Sequence, residues 1–275
     1  MPAEGTIAGN CIPLSKGESM NDMGVQPSGA PAPQAYGLTQ WQRVADTFVA
    51  PQKTFEDIKR GNRSWWLPWI ISALLTYVLF GAIVQKIGIQ QVVDNQIRMS
   101  PKVQVQMAQL TPEQRDKSNK LTVGIAEGTF IAVPVLGLVY AVVIAAVLLG
   151  TINFVFGGRA NFGNIFAVIY YAWLPGIIKV LLGMAVIYGG MAPESFNAKN
   201  FAPTNLGAFL DPVDTNKSLY VLATSLDAVT IWTLVLLSIG VAAVAGVKRS
   251  SGYIAVFGWW AIVVLFGVGI AAIMG

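Results

Sequence analysis

Residues 65–84 read WWLPWIISALLTYVLFGAIV and carry no Asp, Glu, Lys or Arg. A helix of about 20 residues rises roughly 30 Å, the thickness of the hydrocarbon core of a bilayer. Three tryptophans, Trp65, Trp66 and Trp69, crowd its start, where indole rings favour the headgroup boundary. Pro68 falls in the first turn, where its missing N–H costs nothing. This stretch therefore predicts a transmembrane helix.

Four further apolar runs extend the reading. They give spans at about 123–150, 164–188, 219–247 and 253–274, so the fold class is an all-α, polytopic transmembrane bundle of about five spans. The bulk composition agrees. Of 275 residues, 54% are hydrophobic and 12% charged, against about 25% charged in an ordinary soluble domain. Mean hydropathy is +0.58.

Residues 1–37 are Gly-, Ser-, Pro- and Ala-rich with no apolar period, and predict a disordered tail. No basic segment followed by an apolar run marks a signal peptide. Met1, Met20 and Met23 all stand as candidate starts. Residues 38–275 then form the membrane domain.

Between tail and first span lies an amphipathic helical segment. Thr39 and Gln42 have capping-box spacing. Trp41, Val44, Ala45, Phe48 and Val49 share one helical face, Pro51 interrupts, and Phe55 and Ile58 follow. Lys53, Lys59, Arg60 and Arg63 lie beside this face. Aromatics on one side and cations on the other suit a helix in the membrane interface. Packing of the same face on the protein's own bundle fits equally well. Trp41, Phe48, Phe55, Lys59, Arg60 and Arg63 are thus the candidate interfacial or partner surface.

The polar connection at 86–122 predicts two or three short helices, because Ser100-Pro101 and Thr111-Pro112 each look like an N-cap followed by proline. Gly137, Ala141 and Ala145 repeat every four residues and would let another helix approach closely. In the third span, Pro175 should kink the helix and free a carbonyl near Tyr171.

Lys179 and Asp227 are the sharpest features. A lone charge at the bilayer centre costs at least ~2.5–3.5 kcal/mol, so such residues usually pair or line water. Counting rises from the adjoining loop puts both roughly 12–14 Å from the same membrane face. A Lys179–Asp227 pair joining spans three and four is expected. It reads either as a structural clamp or as part of an ion or solute path beside Pro175.

Chemistry is otherwise scarce. There is no histidine and one cysteine, Cys11, which removes the usual general base and the commonest metal ligand. No phosphate-binding, zinc-protease or serine-hydrolase signature is present. No catalytic residue, cofactor or metal is expected, and the chain is not read as an enzyme. The net charge of +4 comes from cations beside apolar runs, so no nucleic-acid partner is expected.

Orientation rests on cations near short loops. Totals on the two sides are nine and eight, which decides nothing. The two short connections, at Arg159 and at Lys248–Arg249, and the cations Lys59, Arg60 and Arg63 beside the first span favour a cytoplasmic N-terminus. An odd number of spans then puts the C-terminus outside. A bacterial cytoplasmic membrane is the expected location.

Three segments resemble bacterial members of the YIP (Ypt/Rab-interacting) family. FVAPQKTFEDIKRGNRSWWLPWI carries a proline-plus-Phe helix (Pro51, Phe55) and a Trp-Pro opening (Trp65, Trp66, Pro68). GGRANFGNIFAVIYYAWLPGIIK has a Gly-rich turn and a Leu-Pro pair. LDAVTIWTLVLLSIGVAAVAGVKRSSGYIAVFGWW carries Asp227, Ile231, Trp232, Gly240 and a basic turn. The resemblance covers about residues 40–275. It implies five spans, a cytoplasmic N-terminus and a membrane-resident role in binding or organising partners. Eukaryotic relatives act with small GTPases in vesicle trafficking. This chain lacks their Asp-Leu-x-Gly-Pro-type segment, which argues against GTPase binding. Partners are then the lipid bilayer and other membrane proteins, with a homo-oligomer left open. The alternative function is a small-solute or ion transporter using Lys179 and Asp227.

Overall fold

The computed structural model describes residues 37–274. Apart from Gly37, the expected disordered tail, with Cys11 and the candidate starts Met1, Met20 and Met23, lies outside the described residues.

The described residues are mostly helical, with no strands among them. A hairpin of α1 (Gln40–Val49) and α2 (Pro51–Lys59) precedes α3 (Trp66–Lys86). Two short helices, α4 (Ile89–Arg98) and α5 (Pro101–Ala108), lead to α6 (Pro112–Gly150). Then come α7 (Phe162–Ala172), α8 (Gly176–Tyr188), α9 (Lys217–Ser225), α10 (Ala228–Ala245) and α11 (Arg249–Met274). Five units are long and apolar enough to cross a membrane: Trp66–Lys86, Pro112–Val155, Phe162–Tyr188, Ala228–Ala245 and Arg249–Ile273.

The connection before the second span holds two short helices, as expected, but the helix opened at Thr111-Pro112 is part of the span itself. Thr111 and Gln114 close a reciprocal capping box with Pro112 at the first helical position. Nothing after that start ends the helix, so it runs on for 39 residues as α6. Gly124 and Gly128 weaken a helix without stopping it. Pro134 is carried inside α6, and its carbonyl accepts from Trp69 Nε1 at 3.2 Å. Ala141 and Ala145 are fully buried where α6 meets α7, whereas Gly137 faces open space.

The third span is divided rather than kinked. Proline lacks an N–H and clashes with the carbonyl four residues back. Here the chain answers with a tight turn at Trp173–Pro175 between α7 and α8. The Tyr171 carbonyl, expected to be free, accepts from Leu174 N at 3.2 Å, and Gly176 N and Ile177 N bond to Trp173 and Leu174 in the same i→i+3 pattern.

The fourth span is also shorter than its apolar run suggests. α9 stops at Ser225 and α10 begins at Ala228. At the break, Ala228 N donates to Thr204 O at 3.0 Å and Asn205 forms an isolated bridge with Asp227. Aspartate competes for backbone N–H groups and so favours a cap over a helix interior. α10 spans roughly 27 Å and ends on Gly246 in the left-handed region at φ +70, with Val247 N on Ala242 O.

The main core lies among α2, α6, α7, α10 and α11. It includes Phe55, Ile58, Ala145, Ile165, Ile169, Val241 and Val256. Gly240 permits the contact of α2 and α7 with α10. A Cβ there would sit 2.4 Å from Val168 Cγ1 and 3.0 Å from the Phe55 ring.

Candidate functional site

Two polar nodes stand out in an apolar bundle. The first lies at the two helix breaks. Lys179 is in the first turn of α8, three residues after Gly176. Asp227 is the N-cap of α10, not a residue inside a continuous helix. The structure brings the two together, with Lys179 Nζ 3.1 Å from Asp227 Oδ1. Lys179 also donates to Thr230 Oγ1 at 3.1 Å. Asp227 Oδ1 accepts from Thr230 N at 2.7 Å, and Oδ2 accepts from the Thr204 hydroxyl.

The electrostatics follow from helix geometry. A carboxylate at a helix N-terminus is stabilised by the exposed N–H groups and the positive end of the dipole. Asp227 has that placement on α10. Lys179 sits near the positive end of α8, which is unfavourable for a cation unless a counter-charge is close. Asp227 supplies it. The Asp227 side chain is 2% exposed and that of Lys179 30%. Pro175 is buried one turn away. Of three described cavities, none is lined by Lys179 or Asp227.

The second node lies under the α1–α2 hairpin. Arg43 is 1% exposed, with Nε 3.4 Å from Asp57 Oδ2. Its guanidinium donates to Asn62 O at 2.9 Å and lies 5.3 Å from the centre of the Tyr171 ring. Asp57 also accepts from Leu38 N at 3.1 Å and Asn62 Nδ2 at 3.2 Å. Tyr171 donates its hydroxyl to Gln40 Oε1 at 2.8 Å. Thr47 and Thr54 both donate to Arg43 O.

This node turns α1 inside out. Arg43 and Thr47 point into the protein, whereas Trp41, Ala45 and Val49 form an exposed stripe, Trp41 at 67% and Val49 at 80%. Val44 and Phe48 lie half-buried between, Phe48 meeting Trp232 edge-on at 5.9 Å. Phe55 is 0% exposed, so it belongs to the core and not to an outward surface. Lys59, Arg60 and Arg63 are exposed. Arg63 Nε donates to Asn164 at 2.9 Å, Lys59 Nζ approaches Gly246, and Arg249 reaches Gln52. Sequence periodicity had no means of finding the Arg43–Asp57 pair, because it sorts residues by polarity and assigns the apolar stripe to the core. Its one trace in the sequence is two polar residues four apart, Arg43 and Thr47, on the side opposite the apolar face.

Among the described residues, no three Cys, Asp or Glu side chains gather as a metal ion would require. These features define a multi-pass membrane protein with two ion pairs, one buried under its N-terminal hairpin and one, with its lysine partly exposed, at paired helix breaks. The family model for the Yip1 domain matches residues 45–271, and the chain belongs to that family. Neither curated proteins nor solved structures give a match.

Proposed function

We propose that this chain is a non-catalytic organiser of membrane components, seated in a bacterial cytoplasmic membrane with its N-terminus inside. It binds membrane partners through the outward face of α1 and the cations beside it. The observation that carries this reading is the inversion of α1. The hairpin spends a buried Arg43–Asp57 pair to hold Trp41, Ala45 and Val49 outward. Exposed aromatics next to cations are the composition of contact surfaces.

The orientation is supported by the company the cations keep. Lys59, Arg63, Arg159 and Arg249 approach one another's loops at one end of the bundle: Arg159 N bonds to Ala245 O, and Arg249 reaches Gln52 of α2. Such clustering marks the inner side of a membrane protein.

The transport reading uses Lys179 and Asp227. Its support is the pair of broken spans, an arrangement that binding sites in transporters share. Against it stand the closed contact between the two side chains and the absence of either from the described cavities. The experiment is complementation of a strain lacking the chain. Trp41→Glu with Val49→Glu should insert normally and fail to restore the wild-type phenotype, while Asp227→Asn restores it. The reverse pattern would reject the organiser in favour of transport.

A further inference from the structure

At the end of the bundle away from Arg159 and Lys248, the connection 189–216 folds over α8 and α9 and, with Arg98 and Gln104, borders a cleft of about 710 Å³ that is open to the surface. Pockets for small molecules run from roughly 300 to 1,000 Å³. Its walls are held in place before any ligand arrives. Asn205 Nδ2 donates to Asn200 Oδ1 at 2.6 Å. Thr204, in the same segment, donates its hydroxyl to Asp227 and accepts from Ala228 N on its carbonyl. Gly207 presses on Thr224, where a Cβ would come within 2.3 Å. A pre-formed wall avoids the ordering cost of binding.

The lining chemistry is mixed and closely spaced. Tyr220 accepts from Asn197 Nδ2 at 3.1 Å and from Asn200 Nδ2 at 3.4 Å. Two donors on its oxygen leave its own proton to be given to a ligand. Arg98 supplies further N–H groups, since only one of its terminal nitrogens is engaged, with Asn95 and the Glu194 carbonyl. Glu194 and Asp214 line the cavity with carboxylates that take part in no ion pair or hydrogen bond among the described residues. Asp211 is committed to its own turn. The N–H groups of Asp214 and Val213 hold its carboxyl below the usual range. Between these polar groups lie the apolar surfaces of Phe201 and Val186.

Charge selects among ligand classes. Three carboxylates against one guanidinium repel an anion, while the Tyr220 O–H and the unengaged Arg98 N–H groups need acceptors that an ammonium cation lacks. A neutral polyhydroxylated ligand can give hydrogen bonds to the carboxylates and take them from Tyr220, Asn197 and Arg98. Its C–H faces can rest on the Phe201 ring. We propose that this cavity is a binding site for a neutral saccharide of one or two sugar units.

Saturation-transfer NMR on the full-length protein in detergent tests this, with glucose and maltose as probes and spermidine as the cationic control. The expected result is saturable transfer from glucose or maltose and none from spermidine. Tyr220→Phe, and separately Glu194→Gln with Asp214→Asn, should each weaken sugar binding by about tenfold, one lost hydrogen bond to a charged or oriented group. Retained helical circular dichroism shows that each variant is folded. No saturable transfer from either sugar, sugar affinity unchanged in the folded variants, or transfer from spermidine alone would each overturn the assignment. The partner-binding reading of α1 stands or falls independently, because Trp41→Glu with Val49→Glu leaves this cavity untouched.

Discussion

Asp227 does two jobs that substitution can separate. As N-cap it accepts the Thr230 N–H, and as an anion it faces Lys179. Asparagine caps as well as aspartate, whereas alanine loses about 1 kcal/mol at such a position. Asp227→Asn should therefore cost less stability than Asp227→Ala, as read by thermal unfolding in detergent. Equal losses would mean that the cap contributes nothing. For the pair itself, Lys179→Met with Asp227→Leu should be better tolerated than either single change, because each single leaves one charge buried without its partner. Additive losses would break the proposed coupling. The same logic applies more strongly to Arg43 and Asp57, both almost fully enclosed. Removing one partner of a buried pair costs about 3–5 kcal/mol. Arg43→Met should fall in that range, with much of the loss recovered in Arg43→Met with Asp57→Leu.

At the level of elements, the apolar runs were legible because a bilayer imposes a length and a composition that few other environments demand. The first span shows it best, with no charge between Trp65 and Val84. Its flanking tryptophans are engaged as well as placed: Trp65 packs edge-on against Phe166 at 5.1 Å. What periodicity left hidden are the interruptions. The start of α6 was announced by Thr111-Pro112, but no residue announces a stop, so its continuation for 39 residues had to come from the structure. The break at Asp227 has no proline or glycine to mark it. It depends on Thr204, which lies 23 residues upstream, and a contact so distant leaves no local trace. Close helix approach was partly legible in small residues, and Gly240 makes it testable. Gly240→Leu must displace Val168 or Phe55 and should cost about 1–3 kcal/mol, the usual penalty of overpacking. Gly258 faces open space, so Gly258→Leu should leave thermal stability nearly unchanged. Equal effects at the two glycines would show that α2 and α7 do not pack on α10 as described.

Seen as a whole molecule, the bundle has two chemically different ends. One gathers short loops and cations around the α1–α2 hairpin. The other carries the long connections and the polar cavity. α6 and α11 bury little of themselves inside the protein, and residues such as Leu136, Val143, Val263 and Phe266 are exposed. Exposed apolar area on this scale is untenable in water and ordinary in lipid. The hairpin cations belong to this scale too. If they meet an anionic inner leaflet, each should contribute about 1 kcal/mol near the surface. Lys59→Gln, Arg60→Gln and Arg63→Gln together should then shift the chain toward mixed orientation when its insertion is mapped by protease protection. Insertion unchanged in the triple variant would remove these residues from the orientation argument.

Side-specific cysteine labelling tests the architecture most directly. With Cys11 replaced by serine, Ser250→Cys lies exposed in the first turn of α11, and Asp214→Cys in the connection before α9. Reacted on intact cells with a membrane-impermeant maleimide, Asp214→Cys should label and Ser250→Cys should label only after the cells are opened. Labelling of both positions from the same side would contradict a membrane-crossing span between them, and with it the five-span bundle.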